Sequence, residues 1–244
     1  MKAQIATYAR FSYLVALTNA VYFDLSPLRE VNEPGSRGRK LILGVEGNVC
    51  AGKTSVVRLL SERYAIPFVP EYWELMTQGE QDALLAQPLV SRLRFLLSIE
   101  QERYDATIGT SDSLTLDRTI LTIIATHFAL QKISGDANRD DIGTLLTKYR
   151  HWRPDIFIFL DSPLEVQAER RRLRGGDDAL FVSPRFAETF RRIFTVLSQS
   201  LPIIVIDTGG LGIEKIAEQA RGCFRCPPVK YSLAHAINEL ETKL

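Results

Sequence analysis

Residues 44–55, GVEGNVCAGKTS, decide how the chain is read. They lie between an apolar run, Leu41-Ile42-Leu43, and a second one, Val56-Val57-Arg58-Leu59-Leu60. Within them, the segment from Gly47 to Thr54 fits the spacing G-x4-G-K-[ST]. The residue types are those a bound triphosphate requires. Glycine tolerates positive φ and lets the backbone approach a ligand closely. Successive N–H groups then turn inward as a nest for phosphate oxygens. The helix predicted from about Lys53 onward adds its positive dipole end. In such a loop the lysine, here Lys53, reaches the β- and γ-phosphates, and the hydroxyl of Thr54 ligates Mg²⁺. ATP and Mg²⁺ are therefore expected, bound by Gly47, Asn48, Val49, Cys50, Ala51, Gly52, Lys53, Thr54 and Ser55. GTP as donor is left open, because nothing in the sequence reads the donor's base. Cys50 is taken as a small side chain that fits the loop, although a helix N-terminus can also activate a thiol.

Outward from this loop, short apolar runs alternate with longer helical patterns. Strands are predicted at 41–46, 67–70, 113–116, 156–161 and 203–207. They are continuous and apolar, as strands covered on both faces should be. Helices are predicted near 53–65, 89–108, 118–131, 164–174, 184–199 and 211–220. The alternation predicts an α/β sandwich around a parallel sheet. Sites in such sheets lie beyond the carboxyl ends of the strands. Glu46-Gly47, Glu71, Asp117 and Asp161 all fall at such ends.

Three further groups suit phosphoryl transfer. Glu71, after Val69-Pro70, would face the γ-phosphate across the cleft, where a carboxylate can orient an acceptor hydroxyl and take its proton. A surface glutamate at a strand end is the plainer alternative. Asp117-Arg118-Thr119 sits where the third strand turns into a helix. Asp117 would hold Mg²⁺ through water and Arg118 would grip a phosphate or position Glu71; a helix cap with a salt bridge is the alternative. Finally, Arg170 and Arg174 are four residues apart and so share a helical face. Arginines there can stabilise charge on the transferred phosphoryl group; a solvated helix end is the alternative.

With these residues in view, the chain resembles the deoxynucleoside kinases and their relatives, the thymidylate kinases. VEGNVCAGKTS is similar to that family's E-G-N-I-x-x-G-K-[ST]. VPEYW matches the position of its E-P motif, LDRTI its [ED]-R-S motif, and IFLDSPLEVQAERRRLRGGDD its strand, helix and lid. The resemblance covers about residues 40 to 210. It implies an α/β fold of the three-layer P-loop NTPase type, with a five-stranded parallel sheet and a helical lid that closes on ATP. It implies Glu71 as base, Asp117 and Arg118 beside it, and Arg170 and Arg174 as lid arginines. The sequence departs from the family in places. Tyr72 follows Glu71 where a proline is usual, Asp117 stands for the commoner Glu, and Thr119 for Ser. The family's F-Q pair on the long helix, with an arginine two turns on, has two imperfect counterparts. One is Gln87 before Pro88 with Arg92 or Arg94; the other is Phe95-Leu96 with Arg103. Those arginines would hold a substrate phosphate or line a solvated face. Trp73 would stack on an acceptor ring or belong to the core.

Composition narrows the remaining classes. The net charge of +1 gives no pull toward a nucleic acid polymer or a membrane. The 3 cysteines form no disulfide framework, which suits a reducing, cytoplasmic setting. Cys223 and Cys226 lack the further ligands that a structural zinc needs. Residues 1–39 read as an N-terminal extension and linker, 40–222 as the kinase domain and 223–244 as a C-terminal helical tail. The opening stretch reads as an amphipathic helix or an overlong start rather than a secretory signal. The helix at 89–108 could pair in a homodimer. The expected activity is ATP-dependent transfer to a small-molecule hydroxyl, foremost a (deoxy)nucleoside 5′-hydroxyl. A nucleoside-monophosphate kinase and a P-loop switch without an acceptor are the alternatives.

Overall fold

The apolar run ahead of the glycine loop becomes the central strand of the sheet. In the computed structural model, residues 41–108, 113–135, 142–175, 180–181, 183–226 and 229–244 are described. The extension read at 1–39 and the acidic pair Asp177-Asp178 lie outside the described residues. Strand β1 (Ile42–Gly47) pairs in parallel with β3 (Leu114–Asp117) on one side and β4 (Ile156–Asp161) on the other. Strand β2 (Phe68–Val69) lies outside β3, and β5 (Ile203–Asp207) outside β4. The order is β2-β3-β1-β4-β5, every pair parallel. The five-stranded parallel core expected from the sequence is therefore present.

Side chains alternate across the strands and separate two cores. From β4, Ile156, Ile158 and Leu160 enter one, with Leu43 and Val45 of β1. Helices α1 (Lys53–Tyr64) and α8 (Ile213–Gly222) cover this face through Val57, Leu60, Ile216 and Ala217. Phe157 and Phe159 of β4 enter the other core, with Leu116 of β3. There lie α3 (Leu89–Thr107), α4 (Ile120–Ser134), α7 (Pro184–Leu197) and α9 (Leu233–Lys243). Phe159 stacks on Phe194 of α7, ring centroids 4.4 Å apart. Helix α6 (Leu164–Arg174) follows β4 and carries the arginines expected in the lid.

Several elements differ from the sequence reading. The third strand runs on to Asp117, and the helix after it starts at Ile120 rather than 118. Arg118 takes a left-handed conformation, φ 62°, and Thr119 caps α4 by accepting from Leu121 N at 3.1 Å. Helices α2 (Gln78–Leu85) and α5 (Ile142–Thr147), with a 3-10 turn at Tyr72–Leu75, were not anticipated. Helix α2 buries a single side chain, Leu84, so no apolar stripe announces it. Its local signal is the capping box of Thr77 and Glu80.

Candidate functional site

The carboxyl ends of β1, β3 and β4 converge where the strand order reverses, and the glycine loop occupies that point. Gly47 has φ 146°, and a Cβ there would stand 2.8 Å from the carbonyl oxygen of Leu160. Gly52, at φ 100°, leads into α1, and no side chain caps that helix. Its first-turn N–H groups are thus left for an anion. Cys50 is also left-handed, φ 60°, a conformation that non-glycine residues hold at a cost and mainly at functional sites. Ala51 is buried, Val49 and Thr54 are half-buried, and Ser55 is exposed. Lys53 is buried and its Nζ donates to the Asn48 carbonyl at 2.7 Å. Burial, with Arg118 adding repulsion, pushes its ammonium down to about 8, a loss that bound phosphates would reverse.

Helix α6 holds the loop from above. Asn48 Nδ2 donates to Gln167 Oε1 at 2.8 Å and to the Phe181 carbonyl at 2.7 Å. Gln167 in turn donates to the Ser162 carbonyl at 2.7 Å. Arg170 Nη1 donates to the Cys50 carbonyl at 3.2 Å. Arg174, one turn on, is exposed, and its charge helps hold down the Glu71 carboxyl. Gln167 was missed by sequence reasoning, since its role depends on meeting a loop 119 residues away.

On the opposite wall Glu71 caps the 3-10 turn in an extended conformation and accepts from Arg118 Nε. Arg118 also approaches the Gly47 carbonyl, Nη1 at 3.4 Å, so it spans from acid to loop. Burial alone would raise the Glu71 carboxyl, but Arg118 and Lys53 outweigh it and hold the group below its ordinary range. Burial disfavours the Arg118 charge, and Glu71 more than restores it. Asp117 is fully buried, and burial together with Glu71 pushes its carboxyl up. The Thr54 side chain lies close enough to oppose that rise, yet neither carboxylate oxygen has a hydrogen bond of good geometry. An orphaned buried carboxylate beside a hydroxyl fits Mg²⁺, which takes few protein oxygens and keeps its waters.

Glu46 completes the wall, and sequence reasoning gave it no partner. It is fully buried and accepts from Thr119 N at 2.9 Å and from the hydroxyls of Thr119 and Thr122. The arginines of α3 require correction. Arg103 neither faces solvent nor awaits a phosphate. It is fully buried, pairs with Glu100, and donates to the carbonyls of Asp117 at 3.0 Å and Arg118 at 3.2 Å. Arg92 Nε donates to the Gln87 carbonyl at 2.6 Å, and Arg94 is exposed. Gln87 precedes α3, so of the two registers only Phe95-Leu96 with Arg103 lies on the helix. Trp73 is half-buried and lines a cleft between α2, α3 and α4.

These groups can hold a triphosphate on one wall and orient a hydroxyl on the other. The AAA domain family model matches residues 44–208. No curated protein matches the sequence significantly. Among solved structures the chain is similar to thymidylate kinase from Candida albicans, with a TM-score of 0.63 and 17% identity over 79% of this chain and 98% of that one. It is also similar to deoxyadenosine kinase from M. mycoides with bound dATP: TM-score 0.60, 15% identity, 76% of this chain and 100% of that one. Thymidylate kinase from Ehrlichia chaffeensis matches with a TM-score of 0.52 and 16% identity, over 77% of this chain and 100% of that one. At these identities the likeness is one of fold.

Proposed function

The chain belongs to the AAA domain family, and from that premise we propose that it is a P-loop kinase moving the γ-phosphoryl group of ATP to a small-molecule hydroxyl. The observation that carries this reading is the Glu71 carboxylate, pinned by Arg118 opposite the phosphate loop. In the proposed step the acceptor oxygen bonds to the γ-phosphorus while the β–γ bridge breaks. ADP leaves, and the hydroxyl proton passes to Glu71. A carboxylate held below its ordinary pKa is a weak base. Glu71 therefore acts first by orienting the hydroxyl and takes the proton late, as a loose phosphoryl transition state allows. Mg²⁺ held by Thr54 and, through water, by Asp117 would neutralise charge on the β- and γ-phosphates. Lys53 binds those same oxygens, and Arg170 and Arg174 approach from the lid side.

The acceptor is proposed to be an uncharged alcohol, of which a nucleoside 5′-hydroxyl is one kind, rather than a nucleotide. A nucleotide kinase needs a cation for the acceptor's own phosphate. Arg103 is buried in an ion pair, Arg92 is engaged with a backbone carbonyl, and Arg94, though exposed, does not line the cleft beside Trp73. The setting proposed is the cytoplasm, where Cys50, Cys223 and Cys226 would stay reduced.

The test is phosphoryl transfer from labelled ATP, with Mg²⁺, to a panel of alcohols and nucleoside monophosphates. Label is expected on an alcohol. Glu71→Gln is expected to lower kcat by about 10²- to 10⁴-fold while ATP binding persists. Unchanged turnover in that variant would remove Glu71 from the reaction, and label found only in inorganic phosphate would replace the kinase with a nucleotidase.

A further inference from the structure

Resting on the kinase reading of this same site, we infer that the acceptor is an alcohol with an apolar body, a hydrocarbon chain or an unsubstituted aromatic ring. Its pocket is the cleft between the 3-10 turn, α2, α3 and α4. The cleft opens to solvent at its mouth. Trp73, Leu93, Leu96, Ile123, Leu130 and Phe181 form its walls. Three of these walls are tied to the candidate site through the chain or a hydrogen bond. Trp73 is two residues beyond Glu71. Ile123 stands in the first turns of α4, just after Thr122, which binds Glu46. The Phe181 carbonyl receives the amide of Asn48 from the phosphate loop. In this proposal the hydroxyl end of the ligand lies toward Glu71, which itself stands outside the lining, and the body lies among the apolar side chains.

What the cleft lacks decides the class of that body. Among the described residues, no Asn, Gln, Asp or Glu lines it. The polar side chains that do reach it are poorly placed to read a base. Arg92 is bound to the Gln87 carbonyl, and His127 is buried with interactions of its own. That leaves the hydroxyl of Thr126. A nucleobase edge carries several donors and acceptors, and a site that recognises one supplies an amide or carboxylate against them. Each such atom buried without a partner weakens binding by about ten- to a hundredfold. An apolar body meets no such loss and gains from leaving water.

The experiment offers the full chain, labelled ATP and Mg²⁺ a size-matched panel: arylalkyl and straight-chain primary alcohols of about ten carbons, chosen to fill a small-molecule cleft, and the deoxyribonucleosides. The expected result is a kcat/KM for the best apolar alcohol at least about tenfold above that of any nucleoside. Leu96→Gln, which sets an amide into the wall, is expected to raise KM for that alcohol about tenfold with kcat little changed. A melting curve of the variant confirms that it is folded. A nucleoside used as well as or better than every apolar alcohol overturns the inference and leaves the kinase standing. Binding is followed separately through Trp73, one of the 2 tryptophans; the other, Trp152, is buried elsewhere in the core. A shift in its emission on adding the alcohol, absent in Leu96→Gln and unaccompanied by transfer, overturns the kinase reading but keeps the apolar ligand. No shift and no transfer with any apolar alcohol overturns the inference itself.

Discussion

Glu46 ties the phosphate loop to the opposite wall, because it immediately precedes Gly47 and holds Thr119 and Thr122 of the neighbouring strand-to-helix turn. Immediately before those partners stands Arg118, whose backbone is left-handed and whose side chain pins Glu71. One carboxylate thereby sets the geometry of three elements. Glu46→Ala strands a backbone N–H and two hydroxyls in the interior, and the expected loss is about 3 kcal/mol in urea denaturation. Glu46→Gln keeps an acceptor for Thr119, and its expected loss is about 1 kcal/mol. Equal losses for the two would mean that the hydrogen bonds do not hold the turn. The pH dependence supplies a second check. Burial raises the Glu46 carboxyl above its ordinary value of 4.5. A group raised in the folded state contributes stability that is fully present below the unfolded pKa and lost as pH rises through the folded pKa. The advantage of the native chain over Glu46→Gln should therefore shrink as pH climbs from 4.5, and growth of that advantage would contradict the assignment.

At the scale of elements, α3 carries a buried ion pair where an arginine holding a phosphate or lining a solvated face was expected. Glu100 and Arg103 are fully buried, and Arg103 also ties the end of β3 through the Asp117 and Arg118 carbonyls. Replacing one partner leaves the other charge buried and alone. Arg103→Met is expected to cost about 3–5 kcal/mol, and the pair Glu100→Leu with Arg103→Met far less than the sum of the single changes. A double-mutant cycle in denaturant measures this coupling, and strictly additive losses would show that the pair does not act as a unit. The same helix shows where a sequence can be read and where it cannot. Periodicity placed α3 at 89–108, within a residue of its observed ends. Charge on a helix reads as solvent-facing unless the carbonyls above it are known, and those belong to a strand more than ten residues away. The glycine loop was legible because its pattern is contiguous, and the gathering of Glu71, Asp117 and Arg118 beside it because the ends of parallel strands converge. The bonds of Glu46 and Gln167 cross 73 and 119 residues, beyond what local pattern encodes. Helix α2 was missed because it contributes little to the core.

At the scale of the molecule, the C-terminal tail is built into the larger of the two cores. Ala236, Ile237 and Leu240 of α9 are buried in the same cluster as Phe159, Phe190 and Phe194, against α5 and α7. Ahead of the helix, Tyr231 donates its hydroxyl to the Pro154 carbonyl at 2.9 Å and sets its ring edge-on to Phe157, centroids 5.8 Å apart. Phe157 is part of β4, the strand that flanks the phosphate loop, and its far face neighbours Gly44. Helix α7 also packs on α4, whose first turn holds Thr119 and Thr122. Removing residues 229–244 would therefore uncover aromatic rings under the sheet and slacken the support of the turn from Arg118 to Thr122. Burying Ile237, Leu240 and Tyr231 contributes about 6 kcal/mol together, against a total stability of about 5–15 kcal/mol for an ordinary domain. The truncated chain is expected to melt at least about 10 °C lower, or to lose cooperative unfolding, with ATP binding lost in parallel rather than ahead of it. Melting curves of the full and truncated chains, with and without ATP, measure both effects. A truncated chain melting within about 2 °C of the full one would make the tail an appendage, and the support of the loop through β4 would then have to come from α7 and α4 alone.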